Sequence, residues 1–357
     1  MNLTELKSLL ISAKNELNEQ LNLKRSKQIK YTEKQYFELV TFLSLWNIAG
    51  EDGSKIMNQI DDVPSGDALM QQLQKFAIDD VEFMFNNIYE KQFLKQFKKK
   101  KKHKAIAIID VHEQETYSKD KRKSDDIRGG KHKNGTNFFF KFATIQLIIK
   151  NKIITLGVKI HRRGIHLYNI VNDLVKHVKK FVKIKVLLLD RGFRDVDIFN
   201  QLEYLKIPVL MPCIKDKKTR KQFEKAVRKF SVVKYYWKNC RGEFADFKLL
   251  MIKLDNEKEI GFYTTMRYTF LHSVRYYLNL YAKRWNIETG YRLQKYFLPK
   301  TTCVKGVVRY FYFCYAVAMH NLWHIIKIVT DKVTFTVTTM KFILVYFWIT
   351  THLSFEL

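Results

Sequence analysis

Two short apolar runs constrain this chain more than anything else in it. AIAIID at 105–110 and VLLLD at 186–190 each read as a strand buried on both faces that ends in an aspartate. A strand with no polar face needs cover on both sides, which places it centrally in an α/β sheet. The neighbouring patterns agree. Stretches 138–149 and 153–160 are strand-like, and the short Lys150-Asn151-Lys152 turn between them predicts a hairpin. Residues 167–181 carry Leu167, Ile170, Val171, Leu174, Val175 and Val178 at helical spacing. A helix at 195–205 and a strand at 207–211 follow, and a polar, glycine-containing stretch at 118–137 reads as a loop. The order β-β-β-α-β-α-β predicts a three-strand meander followed by right-handed crossovers.

Residues 1–97 read as helical. Apolar spacing marks 37–48 and 68–76, and Ser65-Gly66-Asp67 after Pro64 supplies capping chemistry for the second. Such helices suit a small DNA-binding bundle, the role assigned to them here, and suit a helical brace equally well. The lysine run 98–102, followed by His103 and Lys104, reads as a solvated linker that could also track phosphates. Residues 214–265 alternate charged and β-prone residues, with strands expected at 231–237, 247–254 and 260–264, so a β-rich insertion is predicted there. One long helix is expected over 273–296 and a core helix over 306–328. The division is therefore a helical region 1–97, a catalytic domain from 98–213 and 266–330, an insertion 214–265, and a tail 331–357.

The charge narrows the partner. There are 64 Lys plus Arg against 35 Asp plus Glu, a net charge of +29. A field of that size favours a polyanion through counterion release and long-range steering. Cys213, Cys240, Cys303 and Cys314 form no C-x-x-C pair and sit in apolar or aromatic company, so they read as core filler rather than zinc ligands or a disulfide framework. The apolar run 342–349 is only eight residues, too short to span a bilayer, and the N-terminus lacks a signal-peptide core. The expectation is a cytoplasmic, nucleoid-associated protein with no membrane and no small-molecule substrate.

A lone strand-end aspartate is ordinarily a turn former. Two of them on neighbouring central strands lie where α/β sheets place their sites, and like charges so close call for a compensating cation. The third carboxylate is carried by YAKRWNIETGYRLQK, 281–295. On an unbroken helix, Tyr281, Arg284, Glu288, Arg292 and Lys295 share a stripe about 80° wide. Helical pairs between Arg284, Glu288 and Arg292 would account for those charges at ~0.3–0.5 kcal/mol each, but not for the tyrosine or the strand-end aspartates. Trp285 could stack on a distorted base but reads as core, and His112, two residues after Asp110, could touch the site but reads as solvent-facing.

The spacing Tyr281-x2-Arg284-x3-Glu288-x6-Lys295 resembles, without gap or substitution, the Y-(2)-R-(3)-E-(6)-K signature of insertion-sequence transposases of the IS-four type. LLLDRGF at 187–193 is similar to the segment around that family's second aspartate, and IIDVHE at 108–113 more loosely to that around the first. The resemblance covers 104–326. It implies a ribonuclease-H-like mixed sheet with a β insertion between the second Asp and the Glu. It implies Asp110, Asp190 and Glu288 as ligands of two Mg²⁺ (or Mn²⁺) ions, with Tyr281, Arg284 and Lys295 holding phosphates. Arg292 joins them from its place on the stripe. The partners implied are transposon terminal inverted repeats and target DNA, with a homodimer assembled on two ends and a hairpinned end as intermediate. A ribonuclease-H-type nuclease without strand transfer, or a DNA-binding protein derived from a transposase, are the alternatives.

Overall fold

The computed structural model describes residues 3–23, 30–97, 102–119, 124–226, 228–254, 258–267, 273–330 and 336–353. Of the lysine run 98–102, only Lys102 falls within them.

Five helices come first: α1 (Leu3–Glu19), α2 (Glu33–Trp46), α3 (Gly50–Met57), α4 (Gly66–Leu73) and α5 (Ile78–Gln96). Thr32 and Gln35 form a reciprocal capping box on α2, and the Ser65 side chain accepts from the Ala68 amide at the start of α4. The sheet follows: β1 (His103–Glu115), β2 (Ile127–Lys133), β3 (Thr136–Ile149), β4 (Lys152–Ile160), then α6 (Leu167–Lys179), β5 (Val182–Leu188), α7 (Val196–Tyr204) and β6 (Val209–Pro212). Next come α8 (Lys217–Lys225), β7 (Phe230–Lys238), β8 (Phe244–Lys253), β9 (Glu259–Thr264), α9 (Val274–Ala282), α10 (Trp285–Gln294), α11 (Gly306–Thr330) and α12 (Val337–Leu353).

β1 is the pivot. It runs antiparallel to β3 on one side and parallel to β5 on the other, and β5 is parallel to β6. β2 and β4 share the far edge of β3, β2 along its first half and β4 along its second. The strands of 214–265 continue this same sheet, because β9 pairs antiparallel with β6 and then carries β8 and β7. The fold is thus a mixed α/β sheet of ribonuclease-H-like type with helices packed against it.

α11 is the buried centre. Val308, Tyr310, Phe311, Tyr312, Tyr315 and Met319 are all fully buried, as expected of a helix apolar all round. The first helices wrap it: the Tyr89 hydroxyl donates to the Cys314 carbonyl at 2.9 Å, and Gln92 Nε2 to the Ala318 carbonyl at 2.9 Å. On the sheet side, Asn321 clasps Thr155 of β4, accepting from its amide at 2.9 Å and donating to its carbonyl at 2.7 Å. Leaving either partner unsatisfied would cost about 1–3 kcal/mol. These contacts seat α5 against α11.

Several expectations need correction. The 118–137 stretch contains β2, whose IRGGKHK sequence lacks alternation because most of the strand is exposed. The 214–265 region opens with a helix, α8. Helix 273–296 is broken: the amides of Arg284, Asn286 and Ile287 reach back three residues, to the carbonyls of Tyr281, Lys283 and Arg284. Asn286 Nδ2 also takes the Lys283 carbonyl at 2.7 Å, a side chain competing with the helix ladder. Cys240 is exposed, not core, while Cys213 and Cys314 are buried. No helix among the described residues is long and apolar enough to cross a membrane.

Candidate active site

The parallel pairing of β1 with β5 ends at Ile108 and Leu188, two residues before each aspartate. β1 does not stop there; it runs five residues past Asp110 along β3, with half-buried side chains. Asp110 therefore sits mid-strand, at the point where its other neighbour falls away. Asp190 lies just beyond β5 and caps a short 3₁₀ turn, its Oδ1 accepting the Gly192 amide at 2.7 Å. A Cβ on Gly192 would lie 3.0 Å from that oxygen, so the D-x-G step suits a close carboxylate. Glu288 stands in the first turn of α10.

These three carboxylates line one cavity of about 740 Å³, together with His112, Arg292 and Lys295. Burial, then the charges of Asp190 and Glu288, push the Asp110 carboxyl up to about 6. Arg284 lies between two of them. Its guanidinium hydrogen-bonds Glu288 Oε1, and its Nη1 is 3.8 Å from Asp110 Oδ2. Asp110 Oδ1 accepts the Val111 amide at 2.9 Å. One oxygen of each carboxylate is thus engaged by a hydrogen bond within the chain.

The transposase DDE domain family matches residues 101–322, more than half of the chain and all three carboxylates. The chain belongs to that family. A solved structure, the cryo-EM structure of a piggyBac transposase synaptic complex with hairpin DNA, is similar over 95% of this chain and 76% of that one. The TM-score is 0.55 at 12% identity, a likeness of fold. No curated protein matches.

In this DDE-family chain the sequence-predicted residues divide. Glu288, Arg292 and Lys295 line the cavity with Asp110 and Asp190, and neither Arg292 nor Lys295 enters an ion pair among the described residues. Tyr281 is not among the residues that line this cavity, but the Arg284 guanidinium that bonds Glu288 also lies over its ring, 5.7 Å from the centroid. Its ring packs on Phe262, and its hydroxyl makes a long 3.5 Å contact to the Leu189 carbonyl, just before Asp190. Burial holds that phenol up at about 12, so it remains a donor. Trp285 is 62% exposed, which corrects the core expectation; the break in the helix turns it outward.

One residue was missed and another, His112, was read as facing away. Tyr291, one turn after Glu288, donates to the Asp110 backbone carbonyl at 2.8 Å and shares a 2.7 Å bond with Thr144 of β3. It ties the helix carrying the third carboxylate to the strand carrying the first. The i, i+3 spacing from Glu288 was the available signal. His112 is half-buried and lines the cavity, which corrects the solvent-facing expectation. It stacks on Phe313 at 5.3 Å, and burial, aided by Lys295, lowers its pKa to about 4.

A divalent cation suits this donor set. The groups that would hold it are all carboxylates, as hard cations require, and a cation would offset the burial and the neighbouring charges that raise Asp110. As the side chains stand, no three acidic, histidine or cysteine groups among the described residues converge closely enough to ligate one ion. Glu288 is drawn to Arg284 instead, and a rotation of its side chain would have to release it.

Proposed function

We propose that this chain is the transposase of an IS-four-type insertion sequence, which cuts its own terminal inverted repeats from flanking DNA and joins them to a target. The observation that carries this reading is the meeting of Asp110, Asp190 and Glu288 in one basic-rimmed cavity. An opposite-face Glu288 would have ended it. The Tyr281-Arg284-Glu288-Lys295 spacing supports the IS-four type.

Asp110, Asp190 and Glu288 would hold two Mg²⁺ or Mn²⁺ ions, which when bound lower the pKa of an attacking water and stabilise the leaving 3′ oxygen. The chain's own contribution is placement. Tyr291 fixes the backbone of Asp110, and Gly192 orients Asp190. Arg292 and Lys295 hold non-bridging phosphate oxygens of the cleaved end, so that the freed 3′-OH is retained for attack on target DNA. Retention of an end is what separates strand transfer from simple hydrolysis. Two cations beside the carboxylates, neither in an ion pair among the described residues, favour it. A homodimer on two transposon ends would bring both 3′-OH groups to one target.

The test is incubation of the protein with labelled inverted repeats from the flanks of its gene. Cleavage should require Mg²⁺ or Mn²⁺, stop with chelator, and vanish in Asp190→Ala and Glu288→Ala. Cleavage that survives in either variant, or without a divalent ion, would sink the assignment.

A further inference from the structure

A second cavity, of about 620 Å³, opens at the other end of the parallel strands and is lined by six lysines and no acidic residue. Lys104 comes from the start of β1, Lys183 and Lys185 from the start of β5, and Lys150 from the β3–β4 turn. Lys206 follows α7, and Lys283 is at the α9–α10 joint. Six residues of β1 separate Lys104 from Asp110, roughly 20 Å of extended chain. None of the six enters an ion pair among the described residues.

The fold carries local costs to keep lysine here. Lys104 lies directly opposite Lys183 in the parallel ladder, where like charges repel. Lys185 occupies the irregularity at which the β1–β5 register shifts. Lys150 and Lys206 have φ of 48° and 57°, the left-handed region that favours glycine and asparagine. Among the described residues five non-glycine residues have positive φ; three are asparagines, and the other two are these lysines. Lys206 closes a helix end where glycine is usual, its amide reaching the Glu203 carbonyl at 2.8 Å and that of Ile207 reaching Leu202 at 2.8 Å. The turn and the helix end call for left-handed residues, but no ion pair among the described residues calls for lysine at either, nor for Lys104 opposite Lys183; an external anion would.

We propose that this groove binds the phosphate backbone of duplex DNA, as a second binding surface remote from the carboxylate cavity. The choice of DNA among polyanions rests on the proposed function. Ammonium groups are point charges without the planar fork that reads base edges, so the grip is independent of sequence. DNA held there is not the phosphodiester under attack; it is duplex that continues past the cut, or a second duplex.

The experiment compares two quadruple variants of equal net charge. Lys150→Gln, Lys183→Gln, Lys185→Gln and Lys206→Gln neutralise the groove. Lys75→Gln, Lys221→Gln, Lys225→Gln and Lys238→Gln neutralise exposed lysines elsewhere. Affinity for a labelled duplex long enough to span both cavities is measured against salt concentration. The groove variant should flatten the log–log slope by about 3–4, near 0.9 for each phosphate that is no longer neutralised, and the control by much less. Equal flattening in both, an unchanged slope in the groove variant, or loss of binding only to single-stranded RNA or anionic phospholipid vesicles would overturn the proposal. Lys206→Gly separates binding from folding: its melting temperature should rise while duplex affinity falls, and an unchanged affinity would count against the groove. Metal-dependent cleavage is followed on the same proteins. Cleavage by wild type with a groove variant that binds normally rejects the groove alone, and groove-dependent binding without any cleavage rejects the transposase reading alone.

Discussion

β1 and β5 begin among lysines and end among carboxylates, and the two ends handle like charge in opposite ways. At the carboxylate end burial, and then the charges of Asp190 and Glu288, push Asp110 up to about 6, and Arg284 is drawn between Asp110 and Glu288. At the lysine end the side chains are mostly exposed, and water screens them at close spacing. Burial suits the first end to a cation or proton held at a point. Exposure suits the second, as a diffuse field, to a polyanion. On the proposed readings, chemistry belongs at the one end and grip at the other.

The largest effect that could break this contrast is at Glu288. Glu288→Gln should lower cleavage by at least ~10²–10³-fold while duplex affinity holds or rises, because a negative charge beside the DNA is removed. A parallel fall in affinity and rate would mean that the cavity serves binding, like the groove. Next in size is Tyr291→Phe, expected to cost ~10–100-fold in rate by loosening Asp110, with stability lowered by only about 1–2 kcal/mol. Restoration of the rate by excess Mg²⁺ would confirm that it acts through metal placement, and an unchanged rate would remove Tyr291 from the site.

Asp110→Asn sharpens the burial argument. This variant should be inactive with Mg²⁺ and, without divalent ions at neutral pH, more stable than wild type by on the order of 1–2 kcal/mol, since a buried carboxylate repelled by its neighbours is gone. Denaturant unfolding checks this, and a loss of stability would show that the Arg284 contact outweighs repulsion. A smaller effect is expected on α11, where burial lowers His324 to about 4 and His320 well below its usual range. Between about pH 6.5 and 4 the unfolded chain takes up protons that the folded chain cannot, so stability falls as pH falls through that window and is unaffected above it. His324→Phe should make the acid-side loss shallower, and an identical pH profile would contradict the burial. The smallest change expected is in Lys295→Ala, which should flatten the salt slope of end binding by about 1.

What the sequence determined was whatever depends on local composition and chain order. Apolar runs ending at Asp110 and Asp190 had to be central strands, because a residue run without a polar face has no other place. The Glu288 segment, with its fixed spacing of Tyr281, Arg284 and Lys295, pointed to the chemistry. Tertiary structure decided what depends on competition between partners. The three-residue hydrogen bonds around Lys283–Arg284 broke the expected helix, turning Tyr281 toward Leu189 and Trp285 toward solvent. Polar residues of β1 past Asp110 became strand because β3 lay beside them, and His112 went into the cavity against Phe313. The strands of 214–265 joined the main sheet because β6 offered a free edge. The lysine groove was invisible along the chain, since its six members are scattered over 104–283 and only the folding of strand starts and turns onto one edge brings them together. Periodicity records which way a side chain prefers to face. Only the packed chain settles which neighbour it meets there.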